Sequence, residues 1–190
     1  MEVRLSESGF QSTYEFHKDR AAADHLNEDG HRHRLLTVAD IIRALDPAPA
    51  SLIDYGCGTG GLLSLLDAVP NRKGYDFSPH AVEFAQDLGR PVQLCNFVAE
   101  LNLSHVDVAV MTEVLEHLDD PHGFLERLPC ERLVASVPVN ETARSHCEEH
   151  VWAWDRPGFA VMLEGAGFEV REHVADAMSQ YVVAVRVVRL

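Results

Sequence analysis

The stretch SLIDYGCGTGG at residues 51–61 constrains this chain more than any other. An apolar pair, Leu52 and Ile53, ends in Asp54. Glycines follow at 56, 58 and 60, and then Leu62, Leu63, Leu65 and Leu66 at helical spacing. That order reads as a strand, a glycine turn and the start of a helix. Glycine has no Cβ, so such a turn lets backbone come close to a bound group. A nucleotide-like cofactor is the first expectation.

The remainder of the chain alternates in the same way. Residues 51–55, 72–76, 91–95, 106–111, 132–137, 168–174 and 181–189 carry strand patterns. Between them lie helical patterns: one over 60–68, one opening at Ser78-Pro79, one ending near Leu128, and one over 156–166. Ahead of the glycine turn, Leu35, Leu36, Val38, Ile41, Ile42 and Leu45 mark a helix that stops before Asp46-Pro47. The segment before it, AAADHLNEDGHRHR, reads as a helix broken at Asp29-Gly30. Strands alternating with helices imply parallel pairing, so the expected fold is α/β: a Rossmann-like, doubly wound, seven-stranded, mostly parallel sheet. The length of 190 residues suits one such domain over 35–190, preceded by an N-terminal helical lid segment over 1–34. Phe10 and Tyr14–Phe16 are the apolar handles of that segment, and Tyr14, His17 and His31 are candidates to line the lid. The apolar last strand suits either a sheet edge or a pairing surface, so the oligomeric state is open.

No apolar run is long enough to span a membrane, and Met1 opens no signal-peptide pattern, so the chain reads as cytoplasmic with no membrane partner. Its cysteines, Cys57, Cys95, Cys130 and Cys147, form no CxxC pair and read as reduced thiols. The formal net charge of −14 repels polyanions, which counts against a nucleic-acid partner and favours a small-molecule substrate.

In such a sheet a ligand lies outside the carboxyl ends of the strands where their order reverses. The residues at those ends are Asp54 to Gly60, Asp76-Phe77, Asn96-Phe97 and Thr112-Glu113. Asp76 stands 20 positions after Gly56, where a carboxylate can accept both ribose hydroxyl protons; its other reading is a helix-cap role beside Ser78. Glycines at 56, 58 and 61 satisfy G-x-G-x-x-G, but Asp54 would repel a pyrophosphate. An acid there suits a cofactor that carries an ammonium group.

The run D-x-G-C-G-T-G resembles motif I of the class I S-adenosylmethionine (SAM)-dependent methyltransferases, with further similarity over roughly residues 35–190 in DVAVMTEVLEH and GAGFEV. The resemblance implies that Asp54, Gly56, Cys57, Gly58 and Gly60 hold the methionine moiety and that Asp76 holds the ribose, with Phe77 and Thr112 at the neighbouring strand ends. Asn96 falls where that family usually has an acid near the adenine amino group, and an amide oxygen can still accept there. Phe97 is then placed to pack on the ring.

Methyl transfer needs the acceptor aligned with the methyl group and sometimes a base for its proton. The candidates are Glu113, Glu116 and His117, which share one face if residues 112–118 begin a helix. His117, with Glu116, is the candidate catalytic pair. The later stretch SHCEEHVWAWDRPGF sets His146 and His150 at i, i+4 among carboxylates and tryptophans. Together, EVLEH and EHVWAWDR resemble the metal-dependent 2′-O-methyltransferases of small-RNA 3′ ends. That similarity implies a divalent metal on Glu113, Glu116, His117 and His150, with Trp154 and Arg156 also matching. Small-molecule methyltransferases carry EVLEH without a metal, and His117 is then a base or an orienting group. His80, His105, His122 and His173 read as solvated histidines without partners.

The leading expectation is O-methylation, less readily N-methylation, of a small metabolite. The alternatives are a metal-dependent 2′-O-methyltransferase acting on RNA or a nucleotide, and a non-catalytic cofactor-binding protein.

Overall fold

The structure is a computed structural model that describes residues 1–6, 23–99 and 104–187. Phe10, Tyr14–Phe16 and His17 lie outside the described residues. In chain order the elements are β1 (Glu2–Arg4), α1 (Asp29–Arg43), β2 (Ser51–Tyr55), α2 (Gly61–Leu65), β3 (Asn71–Asp76), α3 (Pro79–Asp87) and β4 (Val92–Leu94). Then come β5 (Val106–Thr112), α4 (Pro121–Arg127), β6 (Cys130–Pro138), β7 (Trp152–Trp154), α5 (Arg156–Gly165), β8 (Phe168–Ala175) and β9 (Ser179–Arg186).

Seven strands form one sheet in the order β4-β3-β2-β5-β6-β9-β8. All neighbours from β4 to β6 are parallel, while β9 is antiparallel to both β6 and β8. The strand order reverses between β2 and β5, which is where the sheet opens a crevice. The start of that pair is pinned by Asp107, whose carboxylate accepts from the Ala50 and Ser51 N–H groups at 2.7 and 3.0 Å.

The strands are buried on both faces because alternate side chains enter two cores. Leu52, Val108 and Val110 join Val38 and Ile42 of α1, Leu62 of α2 and Val82 of α3 on one face. Ile53, Ala109 and Met111 join Phe124 of α4 and Phe159 of α5 on the other. The last strand is no edge: β9 lies between β6 and β8, and its Val182 and Val183 are buried among these layers.

Three local expectations differ from the structure. The glycine-turn helix ends at Leu65 rather than 68, because the backbone leaves the helical region at Leu66 (φ −112°, ψ 35°). The break expected at Asp29-Gly30 falls earlier. A single 3-10 turn, His25–Asn27, is capped by Asp24, and α1 then runs unbroken from Asp29 through position 34 to Arg43. The polar start of the chain forms a strand, β1, paired antiparallel with β7 (Glu2 with Trp154, Arg4 with Trp152).

Candidate active site

A cleft of about 460 Å³ opens at the carboxyl ends of β2, β3 and β5, within the range of pockets that take a small ligand. Asp54, Gly56, Cys57, Gly58, Asp76, Phe77, Phe97, Thr112, Glu113, His117 and His150 all line it.

The glycine turn is shaped by close approach. Gly56 (φ +71°) has no room for a Cβ, which would stand 2.5 Å from Val114 Cγ2. Its N–H and that of Cys57 donate to the Tyr75 carbonyl at 2.8 and 3.1 Å, which curls the turn over the end of β3. Cys57 is wedged against Gly74, where a Cβ would lie 2.4 Å from its Sγ, and burial pushes its thiol well up. Gly60 is outside the cleft lining. It takes a positive φ as the residue before α2, packed against Val92.

Two carboxyl groups stand at this end of the cleft. Asp54 is 3 % exposed, and burial, with the charge of Asp76 second, pushes it up to about 8. Asp76 accepts from the Gly58 N–H at 2.7 Å and the Ser78 N–H at 2.9 Å. It therefore braces the turn and the start of α3, and Ser78 itself caps that helix through Ala81 N–H.

Asn96 and Phe97 differ from expectation. Asn96 does not line the cleft; its side-chain oxygen accepts from the Ala99 N–H at 3.3 Å and caps a turn. Phe97 is 2 % exposed and packs edge-on against Tyr55 and Phe124, so it is a core residue with one edge at the cleft.

At the other end, residues 112–118 do not begin a helix. Glu113 takes φ +54°, the chain turns back through a 3-10 turn at Leu115–His117, and α4 starts only at Pro121 under an Asp120 cap. The three side chains are therefore not arrayed on one helical face. Glu113 is tied to Ser136 Oγ–H at 2.8 Å and faces Arg34 at 3.6 Å. Glu116 is fully buried, neither of its oxygens has a hydrogen-bond partner among the described residues, and burial beside Glu113 drives its carboxyl well up.

The turn and the loop before β7 bring Glu116, His117 and His150 together, with one ligating atom from each within 4.8 Å of the others. His117 Nδ1 lies 3.2 Å from the Glu149 carbonyl oxygen and His150 Nδ1 2.6 Å from Glu141 Oε2. Both partners only accept, so each Nδ1 carries the proton, and in the neutral ring the lone pair is on Nε2. Ligating histidines are oriented in this way by their second nitrogen. Of the four expected ligands, Glu113 is the one set apart, by its bonds to Ser136 and Arg34. His146 also stays outside, bonded to the Thr142 carbonyl at 3.0 Å, because its loop is not helical. Trp154 and Arg156 are structural: Trp154 is buried and donates to Glu2, and Arg156 donates to the His173 carbonyl.

Of the expected lid residues, His31 lines the cleft, while the sequence reading did not single out Asp24, His25 or Arg34 in the wall made by residues 23–35. Asp24 pairs with Arg90 at 2.9 and 3.1 Å, and Arg90 also donates to the Thr59 carbonyl at 2.9 Å. That latch sets His25 over Gly58, stacked on His31 at 4.4 Å, with burial pulling its ring down to about 4. Arg34 enters from the next turn of α1. The one signal for this wall was the basic run HRHR at 31–34, whose members at i, i+3 share a face. Elsewhere His122 pairs with Glu2 at 3.0 Å, and His173 is half-buried against Gln180 at 2.9 Å, so neither is a free solvated histidine.

A family profile described as a methyltransferase domain matches residues 23–129, more than half of the chain. No curated protein matches it. Among solved structures, it is similar to the magnesium protoporphyrin IX methyltransferase of Synechocystis PCC 6803 with bound SAM, with 16 % identity over 97 % of this chain and 100 % of that one (TM-score 0.70). It is also similar to the Burkholderia thailandensis 1,6-didemethyltoxoflavin-N1-methyltransferase with its substrate and S-adenosylhomocysteine, with 18 % identity over 94 % and 85 % of the two chains (TM-score 0.66). An rRNA methylase from Escherichia coli shares 16 % identity over 85 % of this chain and 68 % of that one (TM-score 0.61). At such identities the likeness is one of fold.

Proposed function

The chain belongs to the methyltransferase-domain family, and on that premise we propose that it moves the methyl group of SAM to an oxygen atom of a small-molecule acceptor. The observation that carries the reading is that His117 and His150 line the same cleft as Asp54, the glycine turn and Asp76, with the buried Glu116 beside them.

The first end of the cleft fits the cofactor. Asp54 is a buried acid whose charged form has no cationic partner among the described residues, so a ligand ammonium is the group that would ionise it. Asp76 lines the cleft at the end of β3, where a carboxylate can accept from ribose hydroxyls, and the glycine turn lets a ligand approach the backbone. When bound, SAM supplies an activated methyl group on a sulfonium.

The second end supports proton removal from a hydroxyl acceptor. As the oxygen takes the methyl group its proton must leave, and the His117 Nε2 lone pair receives it. The Glu149 carbonyl holds the ring in that tautomer. Glu113, fixed by Ser136 and Arg34, borders the space where the acceptor sits. The net charge of −14 favours a small acceptor over a polyanion.

A second reading, metal-dependent 2′-O-methylation of a nucleotide or RNA, is supported by one observation. A carboxylate with no hydrogen-bond partner among the described residues and two histidines with engaged Nδ1 atoms form a mixed oxygen and nitrogen donor set suited to a divalent transition metal. When bound, such an ion would polarise the acceptor oxygen as a Lewis acid.

The deciding experiment is a screen of hydroxylated metabolites, nucleosides and short RNAs with labelled SAM, run with and without chelator. Transfer to a small hydroxyl compound that His117→Ala abolishes supports the first reading; full turnover by that variant overturns the role of His117. Transfer to RNA or a nucleotide that chelator stops and divalent ions restore supports the second, and chelator-insensitive transfer rules it out.

A further inference from the structure

We propose that Glu141 is a positioning residue for both cleft histidines: it holds the His150 ring directly and, through the turn it anchors, presents the carbonyl that holds His117. The inference rests on the reading of the Glu116–His117–His150 end of the cleft as the place of chemistry. Glu141 itself does not line the cleft.

The loop between β6 and β7 carries His150, and much of it faces solvent. Asn140 takes φ +65° where the chain leaves β6. Thr142 to Ser145 are exposed and close on themselves, with two backbone bonds between Thr142 and Ser145 at 3.0 and 3.1 Å. Cys147 and Glu148 are exposed as well. Glu141 and His150 are instead drawn inwards, with side chains 14 % and 12 % exposed.

Both oxygens of the Glu141 carboxylate are used. Oε2 accepts from His150 Nδ1–H at 2.6 Å, and Oε1 accepts from the Cys147 N–H at 3.0 Å. A carboxylate only accepts, so the first bond keeps the proton on Nδ1 and the lone pair on Nε2. The second bond pins the start of a turn that the His150 N–H closes onto the Cys147 carbonyl at 3.0 Å. Inside that turn is Glu149, whose carbonyl oxygen lies 3.2 Å from His117 Nδ1. Just past the turn, the Val151 N–H donates to the Glu116 carbonyl at 2.7 Å. The backbone therefore ties the loop to Glu116 at one end, and Glu141 ties it at the other. The two rings meet edge to face with centroids 4.7 Å apart, so a displaced His150 disturbs His117 by contact as well.

The test reads the two rings and needs no acceptor, so its failure is distinct from failure of the functional reading. Long-range proton–nitrogen spectra of the full chain at about pH 8.5, where an unperturbed imidazole is neutral, report which ring nitrogen carries the proton. His117→Asn and His150→Asn assign the signals. Wild-type protein is expected to show Nδ1–H at both rings. In Glu141→Ala the ratio of Nδ1–H to Nε2–H at His150 should fall about tenfold or more, the worth of a charge-assisted bond, with a smaller fall at His117. His122 and His173, bonded to Glu2 and Gln180, should keep their signals. Equal changes at those two rings mark a general loosening and overturn the assignment. Nε2–H at His150 in the wild type, or unchanged rings in Glu141→Ala, overturn it as well. A change at His150 alone overturns the role towards His117. Where Glu141→Ala does not fold, Glu141→Gln decides, since an amide offers one accepting oxygen in place of two: a changed ratio at His150 or His117 supports the proposal, and both rings unchanged overturn it.

Discussion

Asp54 and Asp76 stand at the ends of neighbouring strands, and the charge of Asp76 adds to burial in holding Asp54 protonated up to about pH 8. An ammonium that binds Asp54 must displace that proton. S-adenosylhomocysteine binding at pH 7 is therefore expected to release a proton, and its affinity should rise with pH towards about 8 and level off above. Calorimetry in two buffers of different ionisation enthalpy measures the release; affinity flat from pH 6 to 8.5 would contradict it. The same shift acts on stability. Asp54 is raised from its ordinary 3.8, so the folded state keeps a proton that the unfolded chain has lost, and stability falls as pH rises between those values. Asp54→Asn should flatten that slope in pH-dependent thermal melts while weakening ligand binding.

The Glu116–His117–His150 cluster makes a prediction that needs no acceptor. Chelator-treated protein should melt higher on addition of a divalent transition metal, with stabilisation of about 2.7 kcal/mol at a hundredfold excess over the dissociation constant. Glu116→Gln and His150→Ala should each remove the shift. Melts of the wild type that do not move with Mn²⁺, Co²⁺ or Zn²⁺ would rule out the site.

Gly74 is a packing position set by motif I. A Cβ there would lie 2.4 Å from Cys57 Sγ and 2.8 Å from Cδ1 of the fully buried Leu63. Gly74→Ala should destabilise the protein by about 1–3 kcal/mol through overpacking. In urea unfolding this reads as a lower midpoint at constant slope.

Arg90 fastens the wall to the turn. Both partners of its pair with Asp24 are nearly buried, at 10 % and 12 % side-chain exposure. Arg90→Ala should speed hydrogen exchange of the amides at 24–28 about tenfold or more, as a local opening. The strands should stay protected, and S-adenosylhomocysteine should bind less tightly. Unchanged exchange at 24–28 would show that the latch contributes little.

The sheet was largely legible because its signal is local. Most buried strands are short apolar runs, several breaks carry glycine or proline, and the motif from Asp54 to Gly60 is continuous in the chain. Local pattern failed where long-range contact overrides it. β1 is polar and becomes a strand only by pairing with β7, 148 positions away between Arg4 and Trp152. Helical spacing was a poor guide after Thr112, because the chain must turn at Glu113 to fold back under β7.

The sequence by itself determined the fold class and the family, since both rest on periodicity and one contiguous motif. Only the tertiary structure decided which polar residues meet. It joined Glu116 to His150, although they are 34 apart, and tied Glu113 to Ser136 and Arg34. It also turned Asn96 away and brought Arg34 and His25 in. A site is a set of side-chain directions, and those are set by backbone turns and burial summed over the whole chain.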